Sequence, residues 1–292
     1  MNVVNAVNTV NVVNTMNTVN TVNVVNGWLW VAGGLGFIFL MTSLGAAMVF
    51  LFGKNGKGPS QSIFLGFAAG VMIAASVWGL LAPAIEEAEA QGWPGWIPAA
   101  GGFILGVLFL YGLDKIIPHL HPSSNVVEGI PSTAQRTTLL VWAVTLHNIP
   151  EGMAVGLSFA LAAQHPEISG TEIPRLYVSA MALALGIGIQ NFPEGAAISI
   201  PLKHEGMSPF RAFLLGAFSG IVEPVFGVLA VFLATLIAPQ MPWLLAFAAG
   251  AMMYVVVEEL IPEANLGSHS NVGTMGVMAG FVLMMILDVA LG

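Results

Sequence analysis

The chain has 292 residues, of which 57% are hydrophobic and 8% are charged, whereas about 25% of a soluble domain is charged. Together with a mean hydropathy of +0.86, this excludes an ordinary soluble protein and indicates an integral membrane protein. The sequence contains no cysteine, which excludes disulfides and thiolate metal sites. Acidic residues outnumber basic ones 15 to 7, so the charge argues against nucleic acid as a partner and suits a cationic substrate.

Residues 1–26 are of low complexity and consist largely of Asn-Val-Val and Asn-Thr-Val triplets. They lack the basic start and the continuous apolar run of a signal peptide. We interpret them as an N-terminal tail, either poorly ordered or lying at the membrane surface. Residues 27–292 are assigned to one transmembrane domain.

Eight apolar segments follow the tail, each near the roughly 20 residues that a helix needs to cross a bilayer. The predicted spans are 28–52, 61–85, 97–117, 135–162, 175–202, 210–238, 242–262 and 272–291. The sequence therefore predicts an all-α polytopic membrane protein with eight transmembrane helices. An even number of spans places both termini on the same side of the membrane.

The basic residues give the predicted orientation. Six of the seven fall on one side of the bundle, namely Lys54, Lys57, Lys115, Arg136, Lys203 and Arg211. Since cytoplasmic loops are enriched in Lys and Arg, this side is predicted to be cytoplasmic and both termini to be outside. The lipid bilayer is the expected surrounding, and a second copy of the chain is a candidate partner in a homodimer.

Two similar polar motifs lie near the middle of predicted spans four and five. HNIPEG occupies residues 147–152, and QNFPEG occupies residues 190–195. Polar and ionisable side chains are costly at membrane depth, so they indicate a functional site. The motifs lie on antiparallel helices and can face each other in the middle of the membrane, where transporters with internal repeats bind their substrates.

Helical spacing aligns the side chains within each motif. Residues i and i+4 share a helix face, so His147 aligns with Glu151 and Gln190 aligns with Glu194. Span six adds a carboxylate of its own beside a proline. The complete set of candidate ligands is His147, Asn148, Glu151, Gln190, Asn191, Glu194 and Glu223.

An imidazole together with carboxylates suits Zn²⁺, Fe²⁺ and Mn²⁺, and Glu151 and Glu194 could bridge two ions. A single Asn or Gln in a membrane helix more often forms an interhelical hydrogen bond than a metal ligand. The repetition of the whole motif argues against that simpler reading. A second alternative is an intramembrane zinc enzyme in which His147 and Glu151 hold a catalytic ion. Only one imidazole lies at membrane depth, whereas catalytic zinc sites usually have two or three, so we expect a transporter and not an enzyme.

At these motifs the sequence resembles the ZIP (Zrt/Irt-like) family of divalent metal transporters, and its bacterial GufA-like branch in particular. SGIVEP at 219–224 and VVVEELIPE at 255–263 extend the resemblance. The resemblance implies eight helices with both termini outside, in the bacterial inner membrane. It also implies inward transport of divalent transition metals, zinc first and also iron, manganese and cadmium. The metal is then a transported substrate, and no separate cofactor is expected.

The resemblance further implies a binuclear metal centre between spans four, five and six. The implied first site contains His147, Glu151, Gln190 and Glu194, with Met72 of span two reaching it. The second site shares the two glutamates and adds Asn148, Asn191 and Glu223. Spans one, four, five and six would move against the other four. Many members have His in place of Gln190, and related members have a carboxylate in place of Asn191, which implies weaker binding at both sites.

Overall fold

The fold was analysed in a computed structural model that describes residues 27–51, 59–116, 119–120, 127–128, 136–165, 175–204, 206–264 and 271–291. The predicted tail at residues 1–26 lies outside the described residues. The described chain is helical apart from short connecting turns and two two-residue strands, β1 (His119–Leu120) and β2 (Val127–Glu128), which pair antiparallel. The prediction of an all-helical fold is confirmed.

The helices follow the predicted spans closely. They are α1 (27–47), α2 (Pro59–Ala74), α3 (Ala82–Ala90), α4 (Trp96–Ile116), α5 (Arg136–Gln164), α6 (Arg175–His204), α7 (Pro209–Ser219), α8 (Val222–Leu236), α9 (Met241–Val255), α10 (Ile261–Ala264) and α11 (Val272–Leu291). A 3₁₀ turn at Met48–Phe50 continues α1, and another at Ala238–Gln240 joins α8 to α9.

Seven helical stretches of the described residues are long and apolar enough to cross a membrane. They are Gly27–Phe50, Ser62–Ala90, Trp96–Ile116, Arg175–Lys203, Pro209–Leu236, Ala238–Leu260 and Val272–Leu291. These seven coincide with every predicted span except the fourth. The fourth coincides with α5, a continuous helix of 29 residues. The protein is therefore an integral membrane protein.

The outward faces of these helices are apolar. Leu40, Ile104, Leu229, Met278 and Ile286 are all exposed although each lies within a long helix. Most of the buried polar side chains, in contrast, lie on α5, α6 and the start of α8. This arrangement reverses that of a soluble protein and suits a bundle surrounded by lipid.

Glycines bring the helices of the bundle together in close pairs. An added Cβ at Gly70 or Gly280 would overlap the backbone of the facing helix in the α2–α11 pair, and Gly250 is similarly close in the α4–α9 pair. Gly45 and Gly156 make the corresponding contacts in the α1–α6 and α5–α8 pairs. We call α1, α5, α6, α7 and α8 the site group. We call α2, α3, α4, α9 and α11 the framework group.

Two π-helical segments also belong to the framework group. Ala75–Leu81 joins α2 to α3, and Val256–Leu260 joins α9 to α10. Each segment ends just before a proline, Pro83 or Pro262. Proline has no N–H to donate to the carbonyl four residues earlier. The preceding N–H bonds five residues back instead, from Ala82 to the carbonyl of Val77 in the first segment.

Candidate metal centre

The two motifs meet directly in the middle of the bundle. The amide Nε2 of Gln190 on α6 donates a hydrogen bond of 2.7 Å to Oε1 of Glu151 on α5. Both side chains are fully buried. The sequence prediction that these motifs face each other is therefore consistent with the observed contact.

Glu223 enters the centre from a third helix, which is broken just before it. α7 ends at Ser219 and α8 begins at Val222, whereas the sequence predicted one uninterrupted span over 210–238. Pro224 cannot donate to the carbonyl of Gly220, and the N–H of Glu223 bonds that carbonyl at 3.2 Å instead. The break places Glu223 in the first turn of α8, where the helix dipole stabilises negative charge.

The two asparagines complete the inner ring of polar groups. Asn148 donates from Nδ2 to the backbone oxygen of Ser219 at 3.1 Å, next to the helix break. Asn191 is fully buried and lies beside Glu151 and Glu223. Neither polar atom of its amide has hydrogen-bonding geometry to a described residue.

The three glutamates form one electrostatic cluster. Glu194 is 5% exposed and interacts electrostatically with both Glu151 and Glu223, which are fully buried. The five basic residues that the structure describes, Lys115, Arg136, Arg175, Lys203 and Arg211, all lie in the terminal turns of their helices. None of them is adjacent in sequence to a glutamate of the cluster.

Four side chains are each anchored by one atom and leave an oxygen unbonded among the described residues. Glu151 and Glu223 each accept a hydrogen bond at Oε1, while their Oε2 atoms have no such bond. Gln190 and Asn148 donate through nitrogen, while their carbonyl oxygens accept none. Buried polar atoms without partners are rare and costly, so these oxygens indicate a binding site.

The glycines of both motifs permit this convergence. An added Cβ at Gly152 would overlap the backbone of Glu223, and one at Gly195 would overlap the carbonyl oxygen of Thr42. These glycines therefore make room for the neighbouring helices. Close backbone contact is what brings α5 against α8 and α6 against α1.

Two predicted ligands are less fully placed. His147 lies in α5 one turn before Glu151, but its side chain is outside the described residues. Met72 is fully buried in the main hydrophobic core, where a methionine also packs without binding anything. In the described part of the chain, no three His, Asp or Glu side chains form a ready metal-binding cluster. The observed site is rich in carboxamide and carboxylate oxygens.

Several known proteins are similar to this chain over most of its length. The sequence model of the family described as "ZIP Zinc transporter" matches residues 124–288. Zinc transporter GufA of Myxococcus xanthus is 40% identical, over 86% of this chain and 94% of that protein. Zinc transporter ZIP11 of Homo sapiens is 37% identical, over 88% of this chain and 95% of that protein. Zinc transporter ZIPB of Bordetella bronchiseptica is 37% identical, over 87% and 79% respectively.

The chain belongs to the ZIP family.

The resemblance read from the motifs is therefore correct. Three features of this ZIP chain were not predicted from its sequence. They are the helix break at Gly220, the carbonyl of Ser219 as an acceptor for Asn148, and the hydrogen bond from Thr42 to Glu223. Pro224 gave a local signal for the break. Thr42 gave none, because it lies 181 positions from its partner in the chain.

Proposed function

We propose that this ZIP-family chain transports divalent transition-metal ions, Zn²⁺ first, across the membrane and toward the cytoplasm. The observation that carries the proposal is the cluster of Glu151, Glu194 and Glu223, three buried carboxylates that interact electrostatically with one another. Carboxylates in such a place need a cation to compensate their charge. A divalent ion that binds during transport would compensate the negative charge of these carboxylates.

The donor set fits this class of ion. The unbonded oxygens of Glu151 and Gln190 lie on side chains that are already joined by a hydrogen bond, so an ion meets a partly ordered pair. His147 lies one helical turn away and adds the nitrogen ligand that borderline metals favour. The relatives named above are zinc transporters, which supports zinc as the first substrate to test.

We further propose two ion positions that share Glu151 and Glu194. The first adds His147 and Gln190, with Met72 as a further ligand. The second adds Asn148, Asn191 and Glu223. Two ions would balance the cluster of carboxylates better than one, and the neutral amide of Asn191 would make the second position the weaker one.

The packing supports relative movement of the two groups of helices. Within each group, several glycines meet facing backbone, which cannot give way, as Gly152 does in one group and Gly250 in the other. Between the groups, Gly79 meets the side chain of Leu183, and Gly186 meets the side chain of Met284. We propose that the site group moves as one body against the framework group, within a bundle of eight spans that has both termini outside.

Uptake into proteoliposomes tests the function. Purified protein should take up Zn²⁺ with saturation, and a series with Fe²⁺, Mn²⁺ and Cd²⁺ would rank the substrates. Glu151→Gln is a matched control, because it keeps the shape of the side chain and removes its charge. Absence of uptake by the wild-type protein, or equal uptake by Glu151→Gln, would contradict the proposal. The zinc-enzyme alternative is not favoured, because the relatives are named as transporters.

A further inference from the structure

Thr42 of α1 lies outside the predicted ligand set, yet its hydroxyl hydrogen-bonds a glutamate of the central cluster. Its Oγ1 lies 3.0 Å from Oε1 of Glu223 and 3.2 Å from the carbonyl oxygen of Ile38. A hydroxyl has one proton to donate, and an ionised carboxylate is the stronger acceptor of the two. The bond to Glu223 is therefore the favoured one when that glutamate carries its charge.

The backbone around Thr42 is held tightly by the helices that carry the ligands. Gly195 of the second motif packs against the carbonyl oxygen of Thr42, and Gly220 at the helix break packs against its side chain. Thr42 is only 1% exposed. The hydroxyl is thus fixed relative to α6 and to the start of α8, and it has little freedom to turn away.

This bond determines which oxygen of Glu223 is available. Oε1 is occupied by the hydroxyl, while Oε2 is buried and has no hydrogen bond among the described residues. Glu223 lies in the first turn of α8, directly after the helix break. Fixing one carboxylate oxygen orders the other.

We infer that Thr42 is a positioning residue that orients Glu223 for ion binding. The inference rests on the proposed metal transport and deepens it, because it assigns to α1 a role in the centre formed by α5, α6 and α8. Thr42 does not need to touch the ion. It acts by holding a carboxylate that does.

The test compares variants that differ in the hydroxyl alone. Thr42→Val keeps the shape and removes the hydroxyl, whereas Thr42→Ser keeps it. Thr235→Val is a matched control, because the Thr235 hydroxyl bonds only a carbonyl of its own helix, that of Phe232, at 2.7 Å. We expect Thr42→Val to raise the KM for zinc uptake about tenfold, within the roughly 10–100-fold loss typical of residues that support a metal ligand. Thr42→Ser and Thr235→Val should stay within about twofold of wild type, below that range.

A double-mutant cycle separates positioning from packing. Zinc affinity is measured in detergent for Thr42→Val, Glu223→Gln and the double variant. All three variants keep Glu151 and Glu194, so they can still bind zinc. Thr42→Val should cause no further loss once Glu223 is replaced. A full additional loss, a wild-type KM for Thr42→Val, or equal damage by Thr42→Ser would each overturn the inference.

A replacement variant and the uptake by wild-type protein cover the remaining outcomes of this test. If Thr42→Val does not accumulate in the membrane, Thr42→Ala is compared with Thr42→Ser by the same criteria. Wild-type protein that takes up no zinc contradicts the proposed function itself. Wild-type protein that transports zinc while Thr42→Val matches it contradicts only the role of Thr42.

Discussion

The helices of the site group and of the framework group pack together in the same way, but the two groups bury different kinds of side chain. Both use glycine to bring backbones together, as at Gly152 in one and Gly250 in the other. The site group then buries three glutamates and three carboxamides, whereas the framework group buries mainly apolar side chains. Because glycine contacts are enough to pack the framework group, the difference indicates that the buried polar atoms of the site group serve to bind an ion.

The largest expected effect is the loss of zinc uptake when a buried polar side chain of the site group is removed, compared with one of the framework group. Glu194→Ala should reduce zinc uptake by more than about 100-fold, beyond the roughly 10–100-fold loss typical of residues that only support a metal ligand. Ser76→Ala removes a buried hydroxyl from the framework group, where it bonds the carbonyl of Met72 at 2.8 Å. This control should stay within about twofold of wild type, since it removes no ligand.

Rates are measured in proteoliposomes at equal protein content. His147→Ala should behave like Glu194→Ala, because it removes the nitrogen ligand of the same site. Comparable losses for Glu194→Ala and Ser76→Ala would mean that burial of polar groups, and not metal binding, accounts for the effect.

The next largest effect is on stability, and it compares a glycine that meets backbone with a glycine that meets a side chain. Gly152→Ala forces a methyl group against the backbone of Glu223, so we expect it to lower stability by roughly 1–3 kcal/mol, as overpacking does. Gly186→Ala meets only the flexible side chain of Met284, and the gain of up to about 1 kcal/mol from Gly to Ala in a helix offsets that contact. Unfolding of both variants in detergent would test the difference. Equal destabilisation would contradict the division into two groups.

These helices show what sequence can and cannot predict. Hydropathy placed the third span at 97–117, within one residue of α4, because its polar flanks mark the membrane boundary. It ended the second span at 85, whereas the helix continues to Ala90 through Glu86 and Glu87. Hydropathy follows depth in the membrane, and a helix continues past that depth as long as its backbone hydrogen bonds are satisfied.

The contacts of the candidate metal centre were likewise only partly predictable from the sequence. The repeated motifs predicted that spans four and five face each other, because helical spacing and antiparallel direction follow from local sequence, and Gln190 indeed contacts Glu151. Pro224 marks a place where the helix could break, but a proline alone does not decide this, because α5 continues through Pro150. The contact of Thr42 with Glu223 could not be predicted, because it depends on how α1 packs in three dimensions.

A smaller effect concerns the charge of the centre. Asn191→Asp places a carboxylate beside Glu151 and Glu223, so it should tighten the second ion by about tenfold, or about 1.4 kcal/mol. Zinc titration in detergent compares the variant with wild type. Identical isotherms would count against a second ion position that includes Asn191.

The smallest expected effect is at a contact between the two groups. Nε2 of His165, just after α5, lies 2.8 Å from Oε2 of Glu87 on α3. His165 is 46% exposed, so the bond contributes at most about 1 kcal/mol, and Glu87→Gln should change the maximal uptake rate by less than about fivefold. The KM for zinc should not change, because neither residue belongs to the centre. A tenfold change in KM would show that this contact helps to form the binding site.

The position of the bound metal tests the central claim most directly. Crystals grown with zinc and measured at the zinc absorption edge would show the ion by its anomalous scattering. We predict a peak at about 2.0–2.2 Å from carboxylate oxygens of both Glu151 and Glu194, the usual range for zinc and oxygen. The peak should be lost in Glu151→Gln crystals. Strong zinc peaks confined to the segments between helices, with none between α5 and α6, would contradict the account.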